Sequence, residues 1–536
     1  MKIRIRLRPK VAEQKEIKTI GGIRIPDIET EKFEEDEPID ERRMNVTYPL
    51  IPWSPRRGDK VYCYVRIYFD EETNELVYNV IEQKLDKSLS GLLENIKEYI
   101  QEKIDVDFLR IKKREGIRYL SKLFDEALRY FKANYDENTK DVLRYYAFRD
   151  FLGLGIIEPL LNDKFIEDIS CDGVNINIYV YHRDPRVGSL RTNIVFKTRD
   201  ELDSFVNKLA ERCGRSISVA KPLLDGTLPE GQRIQATLGS DIAKHGSNFT
   251  IRMFTEKPLT PVDIIRFGTC DIKMMAFFWY LIENGSSFLI SGGTATGKTS
   301  FLNVLSMFIK PQMKIVSIED TEELRLPHYH WISEVARTPI SEEGKVDMFE
   351  LLRESLRQRP DYIIVGEVRG KEAYVLFQQM AVGHPGLSTI HSENFPKLID
   401  RLTSPPINLS ANLIQNLDLL VFLKRIKSGK RYMRKVQSVL EVVGYDRERK
   451  IPITNRVLQW EPKGNKFLIK NESMLLKKIA DATGLSPKLI QDEIRQRARV
   501  IEFMIKRNIK DYKEVGKLVR LFYSSPDYLM ERIEEI

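Results

Sequence analysis

One stretch limits the possible folds more than any other. Ser287-Phe288-Leu289-Ile290 runs into Ser291-Gly292-Gly293-Thr294-Ala295-Thr296-Gly297-Lys298-Thr299-Ser300, and Phe301-Leu302-Asn303-Val304-Leu305 follows. An apolar strand, a glycine-rich turn closing on Lys-Thr and an apolar helix make the G-x-x-x-x-G-K-[ST] pattern in the context it requires. The glycines let backbone N–H groups turn inward around an anion, and the helix adds its positive N-terminal end. The pattern predicts a cradle for ATP built from Gly292, Gly293, Thr294, Ala295, Thr296, Gly297, Lys298, Thr299 and Ser300. Lys298 would contact β- and γ-phosphate oxygens, and the Thr299 hydroxyl would ligate Mg²⁺. Apolar strands at 288–290, 315–318, 362–365 and 419–422 alternate with helices. That alternation predicts an α/β unit, a parallel sheet covered on both faces.

Binding is not hydrolysis, which needs one carboxylate to orient water and another to support the metal. Two strand ends offer acids, at the edge where such sheets place ligands. Residues 314–318 end in Glu319-Asp320-Thr321-Glu322-Glu323. The second apolar run, Tyr362-Ile363-Ile364-Val365, ends in Gly366-Glu367-Val368-Arg369-Gly370. P-loop enzymes commonly carry an Asp where this strand stops; here Gly366 fills that slot and Glu367 is the first acid.

The chain has 536 residues, enough for roughly three domains. Hydrophobic residues make up 42%, which excludes a wholly disordered chain. The net charge of +8 is small beside 86 basic and 78 acidic residues, so charge alone does not call for a nucleic acid or an anionic lipid. Cys63, Cys171, Cys213 and Cys270 form no CxxC pair. The expectation is four reduced thiols in a cytosolic protein, without structural zinc. Residues 1–10 are basic but lack the apolar run of a signal peptide. No stretch of about 18 apolar residues spans a membrane, so membrane work is expected to pass through a partner.

Five segments are expected. Residues 1–45 read as an arm or linker, acid-dense over 27–41. Residues 46–152 read as a hairpin, 62–68 with 76–81, followed by helices over 92–151. Residues 153–257 read as an α+β domain, with strands at 166–169, 176–181, 233–238 and 249–254, a helix at 200–212 and a turn-rich stretch at 223–231. Residues 258–446 form the nucleotide-binding core. Residues 447–536 open with strands near Leu458 and Phe467 and end in basic amphipathic helices.

Four boxes in order resemble the type II/type IV secretion ATPases, the hexameric motors behind secretion, pili and archaella. They are the cradle, I-E-D-x-x-E at 318–323, V-G-E-x-R within 359–370, and Gly383-His384-Pro385-Gly386-Leu387-Ser388-Thr389-Ile390-His391. Outside them, 155–169, 228–233 and 247–252 resemble the family's N-terminal domain, and Arg401-Leu402-Thr403-Ser404-Pro405-Pro406 with the C-terminal tail resembles its archaeal branch. A four-cysteine insertion of the bacterial type II members is missing, which argues against that branch.

The resemblance implies a RecA-like ATPase domain preceded by an α+β, PAS-like domain. Glu323 would polarise the attacking water, Glu367 would act on Mg²⁺ through its water shell, and His391 would sense the γ-phosphate or take part in catalysis. His384 matches the first histidine of its box, and Arg233 and Arg252 match arginines that reach the nucleotide. His182, His245, His328 and His330 are expected to be structural. Arg337, Arg357 and Arg359 suit either phosphate contacts or surface ion pairs. The implied assembly is a homo-hexamer at the cytoplasmic face of the cell membrane, coupled to a polytopic platform protein, with ATP and Mg²⁺ and without nucleic acid. The rivals are a nucleic-acid-stimulated motor, which a basic stripe with interleaved aromatics would favour, and a non-hydrolysing ATP-binding scaffold.

Overall fold

The structure is a computed structural model and describes residues 15–16, 21–28, 41–105, 113–133, 135–184, 187–239, 241–253, 257–337, 346–428 and 431–534. It divides into two bodies, Met1–Glu37 with Glu256–Ile536, and Pro38–Thr255. The first strand, β1 (Lys15–Glu16), belongs to the former.

The Pro38–Thr255 body begins with β2 (Asn45–Ile51), β3 (Cys63–Asp70) and β4 (Glu75–Glu82). Cys63, Val65 and Ile67 alternate inward along β3, as the expected hairpin requires. Helices α1 (Lys87–Lys103), α2 (Lys113–Tyr130) and α3 (Glu137–Phe151) follow. Asp86 and Asp136 cap α1 and α3 by accepting a backbone N–H three residues on. Leu93, Ile96 and Ile100 of α1 pack with Leu120, Phe124 and Leu143. After α4 (Glu158–Leu161) come β5 (Ile166–Cys171), β6 (Asn177–His182), β7 (Ser189–Val195), α5 (Arg199–Arg212), β8 (Leu223–Thr227), β9 (Arg233–Thr237) and β10 (Asn248–Arg252).

Two readings of the sequence are revised here. The segments 46–152 and 153–257 share one nine-stranded sheet, ordered β2-β3-β4-β7-β6-β5-β10-β9-β8. A short parallel pairing of β4 with β7 joins them, and the Asn193 amide closes the gap by accepting from the Val80 N–H and donating to its carbonyl, at 2.8 and 2.9 Å. The turn-rich stretch at 223–231 begins as edge strand β8. Gly226 reads as a turn signal but serves a close approach, since a Cβ there would lie 2.9 Å from Cys213 Cβ.

The other body continues with α6 (Pro261–Arg266), α7 (Ile272–Glu283), β11 (Phe288–Gly292), α8 (Lys298–Ser306), β12 (Ile315–Glu319), β13 (Trp331–Val335), α9 (Met348–Ser355), β14 (Tyr362–Val365), α10 (Glu372–Ala381), β15 (Gly386–His391) and α11 (Phe395–Thr403). It ends with β16 (Leu419–Ser428), β17 (Arg431–Asp446), β18 (Ile451–Glu461), β19 (Lys466–Ile469), α12 (Met474–Thr483), α13 (Pro487–Lys506), α14 (Tyr512–Ser524) and α15 (Pro526–Glu534). The sheet order is β1-β18-β17-β16-β11-β15-β14-β12-β13, with β19 on β18. From β16 to β13 every pair is parallel, as expected; β16 to β19 are antiparallel. The sheet is therefore mixed and runs through residue 446 without a domain break. Helix α13 lies on α7, where the buried Arg497 meets Glu283 and Glu493.

The arm expected over 1–45 is docked where it is described. Ile23 and Ile25 are buried in the core, and Ile23 exchanges two backbone hydrogen bonds with Ser473 at 2.9 and 2.8 Å. Residues 1–14, 17–20 and 29–40 of that arm lie outside the described residues. No described helix is long and apolar enough to cross a membrane.

Candidate active site

The cradle forms where β11, buried at all five positions, stops at Gly292. A Cβ on Gly292 would sit 2.7 Å from both the Leu423 carbonyl oxygen and Thr296 Oγ1. Two residues of the turn are left-handed: Gly297 at φ 84°, which needs no side chain there, and Ala295 at φ 57°, a sterically costly state for an L-residue. Three side chains brace the turn. Thr296 Oγ1 and Lys298 Nζ both donate to the Gly293 carbonyl, at 2.9 and 3.0 Å, and Arg434 Nε of β17 donates to the Ala295 carbonyl at 3.2 Å. Lys298 is 9% exposed, and burial pulls its ammonium below the usual lysine range against the field of Glu367. Thr299 and Ser300 follow in the first turn of α8.

The acids stand at the same edge of the sheet. Glu319 closes β12 and is 2% exposed. Its carboxylate accepts the backbone N–H groups of Glu323 and Leu324 at 3.0 and 3.1 Å, and burial pushes it up to about 7. Glu323 is exposed. The turn is tied to the cradle's helix as well, because Asn303 Oδ1 of α8 accepts the Arg325 N–H at 2.8 Å. One strand over, Glu367 follows β14, and Arg369 links the two strand ends, with Glu367 at 3.1 Å and Asp320 at 3.5 Å. The Gly366 slot is filled from next door: a Cβ there would lie 3.2 Å from Glu319 Cγ.

Strand β15 runs between β11 and β14, and its last residue, His391, pairs in register with Gly292. Burial, then the positive field of Lys298, holds the His391 imidazole below its ordinary range. His384 precedes β15, and its backbone N–H donates to the Gln379 carbonyl. The structure thus gathers the cradle, the Glu319–Glu323 turn, Glu367 and His391 at the carboxyl ends of four neighbouring parallel strands.

Arg233 and Arg252 belong to the other body. They are cross-strand neighbours on β9 and β10, each paired at 3.2 Å, Arg233 with Asp225 and Arg252 with Asp168. His328 is structural, with Nε2 2.8 Å from the Ile309 carbonyl, and His182 stacks on Phe165.

The sequence reading assigned no role to Glu319, Arg369, Arg401 or Arg434. Arg401, on α11, is close enough for its charge to lower the proton affinity of both Lys298 and His391. A signal existed for Arg369, which lies inside the V-G-E-x-R box. Arg434 could not be found that way, since it is 136 positions from Lys298 and meets the cradle only through sheet pairing.

Residues 151–461 match the family described as type II/IV secretion system protein. The chain belongs to this family. Its members are typically ATP hydrolases. An uncharacterized Methanocaldococcus jannaschii protein is 42% identical over 388 residues, covering 72% of this chain and 70% of that one. The type IV secretion system protein PtlH of Bordetella pertussis is 30% identical over 276 residues, 47% of this chain and 79% of its own. Among solved structures, the pilus retraction motor PilT with bound ADP is 15% identical, covers 68% of this chain and 95% of its own, and has a TM-score of 0.37.

Proposed function

We propose that this secretion-family protein is an ATP hydrolase whose turnover drives assembly or movement of a type IV pilus-like filament through a membrane platform protein. One observation carries the catalytic part: acids from two strand ends and a histidine from a third converge beside a lysine-anchored cradle.

In this reading the inward N–H groups of residues 293–298 and Lys298 hold the β- and γ-phosphates. Glu323 takes the proton of the attacking water as general base. His391 donates a hydrogen bond to charge developing on the γ-phosphate. Oxygen donors alone, the Thr299 hydroxyl and Glu367 through water, make a set suited to Mg²⁺. The ion would supply charge neutralisation of the phosphate oxygens. Arg233 and Arg252 present two guanidiniums on adjoining strands, a pattern fitted to phosphate oxygens. The protein works as a homo-hexamer at the cytoplasmic face of the membrane.

Glu323→Gln tests the reading. ATP binding should persist while turnover falls by on the order of a hundredfold or more. Near-normal hydrolysis would move the role of base to another group. A requirement for single-stranded DNA in wild-type turnover would favour the nucleic-acid motor instead.

A further inference from the structure

Glu319 is the one acid of its run that turns away from solvent. Asp320, Glu322 and Glu323 are exposed, whereas Glu319 is 2% exposed. A buried carboxylate is costly, and an apolar side chain would fill the same space more cheaply. What the carboxylate does there is specific. Its Oε1 receives two successive backbone N–H groups, those of Glu323 and Leu324, and so fixes the peptide planes on either side of Glu323's Cα. Its Cγ lies in the space beside Gly366, at 3.2 Å from where a Cβ would stand. The missing side chain on β14's end and the buried one on β12's end are thus complementary.

We propose that Glu319 is a positioning residue for the cleavage step: its carboxylate sets the turn that aims Glu323, and Gly366 is glycine because the Glu319 side chain needs that room. The inference rests on the reading of Glu323 as the base. It differs from a direct chemical role for Glu319, whose oxygens already accept backbone N–H groups. Because the task is to accept N–H groups, a neutral oxygen suffices. An amide can therefore replace the acid, and a hydrocarbon of similar size cannot.

The test uses the full chain, with steady-state ATP turnover and binding of a fluorescent ATP analogue. Glu319→Leu should lower kcat by on the order of a hundredfold, with KM within about threefold of wild type. Glu319→Gln should recover turnover to within about fivefold. Gly366→Ala, which crowds an intact Glu319, should reproduce the loss in kcat, and adding it to Glu319→Ala should cost nothing further. Wild-type turnover in Glu319→Leu, or a Gln variant as slow as the Leu variant, would overturn the proposal. Should the Leu variant fail to bind the analogue, Gly366→Ala decides, and full activity there overturns the proposal. Glu323→Gln in parallel separates the two readings. A fast Glu323→Gln removes the assignment of the base, whereas a slow Glu323→Gln beside a fast Glu319→Leu removes only the positioning role.

Discussion

The two sheets hold their charges in opposite ways. At the cradle, Lys298 and Glu319 are 9% and 2% exposed, and their partners are backbone carbonyls and N–H groups that cannot move away. On the nine-stranded sheet, the Arg233 and Arg252 side chains are 36% and 64% exposed and are held by carboxylates on neighbouring strands. Surface pairs of that kind contribute about 0–1 kcal/mol, so the proposed exchange of either carboxylate for a phosphate would cost little. The contrast teaches a division of labour. Buried charge with fixed partners gives a preset geometry, and exposed charge with weak partners gives a contact that can be made and broken.

Tests of that division run from large to small. Lys298→Ala removes the fixed cation, and turnover should fall by on the order of a thousandfold with loss of analogue binding; retained binding would break the buried half of the comparison. Next is pH. The folded Glu319 carboxyl, at about 7 against an ordinary 4.5, holds its proton after the unfolded chain has lost it. Between those values the native state binds more protons, so stability falls as pH rises. Glu322 and Glu323 add to the upward push, while the Glu323 and Leu324 N–H groups oppose it. Glu319→Gln should flatten the fall between pH 4.5 and 7 by about 2 kcal/mol in denaturant melts; an unchanged slope would mean that Glu319 stays ionised. Arg252→Ala should then lower turnover roughly tenfold, an effect that rising salt should shrink; a salt-independent loss would place Arg252 among the fixed groups. Smallest of all, Asp225→Asn should shift folding stability by under about 1 kcal/mol, and a larger shift in the urea midpoint would show that its pair with Arg233 is more than a loose one.

Much of this was legible in the residues. The cradle and the two acid-bearing strand ends were legible because each sits at a fixed offset from an apolar run, and His391 because its box resembles the family's. The distinct placement of Glu319 was not, since 319–323 contains four acids and only burial tells them apart. Strand β17 was missed because Arg431, Arg434 and Lys435 interrupt its apolar alternation, while sheet pairing and the contact with Ala295 give Arg434 its place. The β4–β7 junction escaped too. It pairs Val77 with Arg191 across more than a hundred residues, and no local pattern announces such a partner. Ile23 and Ile25 sit in a short stretch with glycine, arginine and proline neighbours, and the partner that pairs with Ile23, Ser473, lies far along the chain.

That last docking has a consequence for vectorial synthesis. Residue 21 bonds a partner 451 positions later, Glu472. At about 5–20 residues per second, the opening segment leaves the ribosome roughly 20–90 s before its berth exists. The nine-stranded body, encoded wholly within that interval, can finish first. A truncated chain starting at residue 256 would never receive Ile23 and Ile25, and would have to live with two vacant positions in its interior.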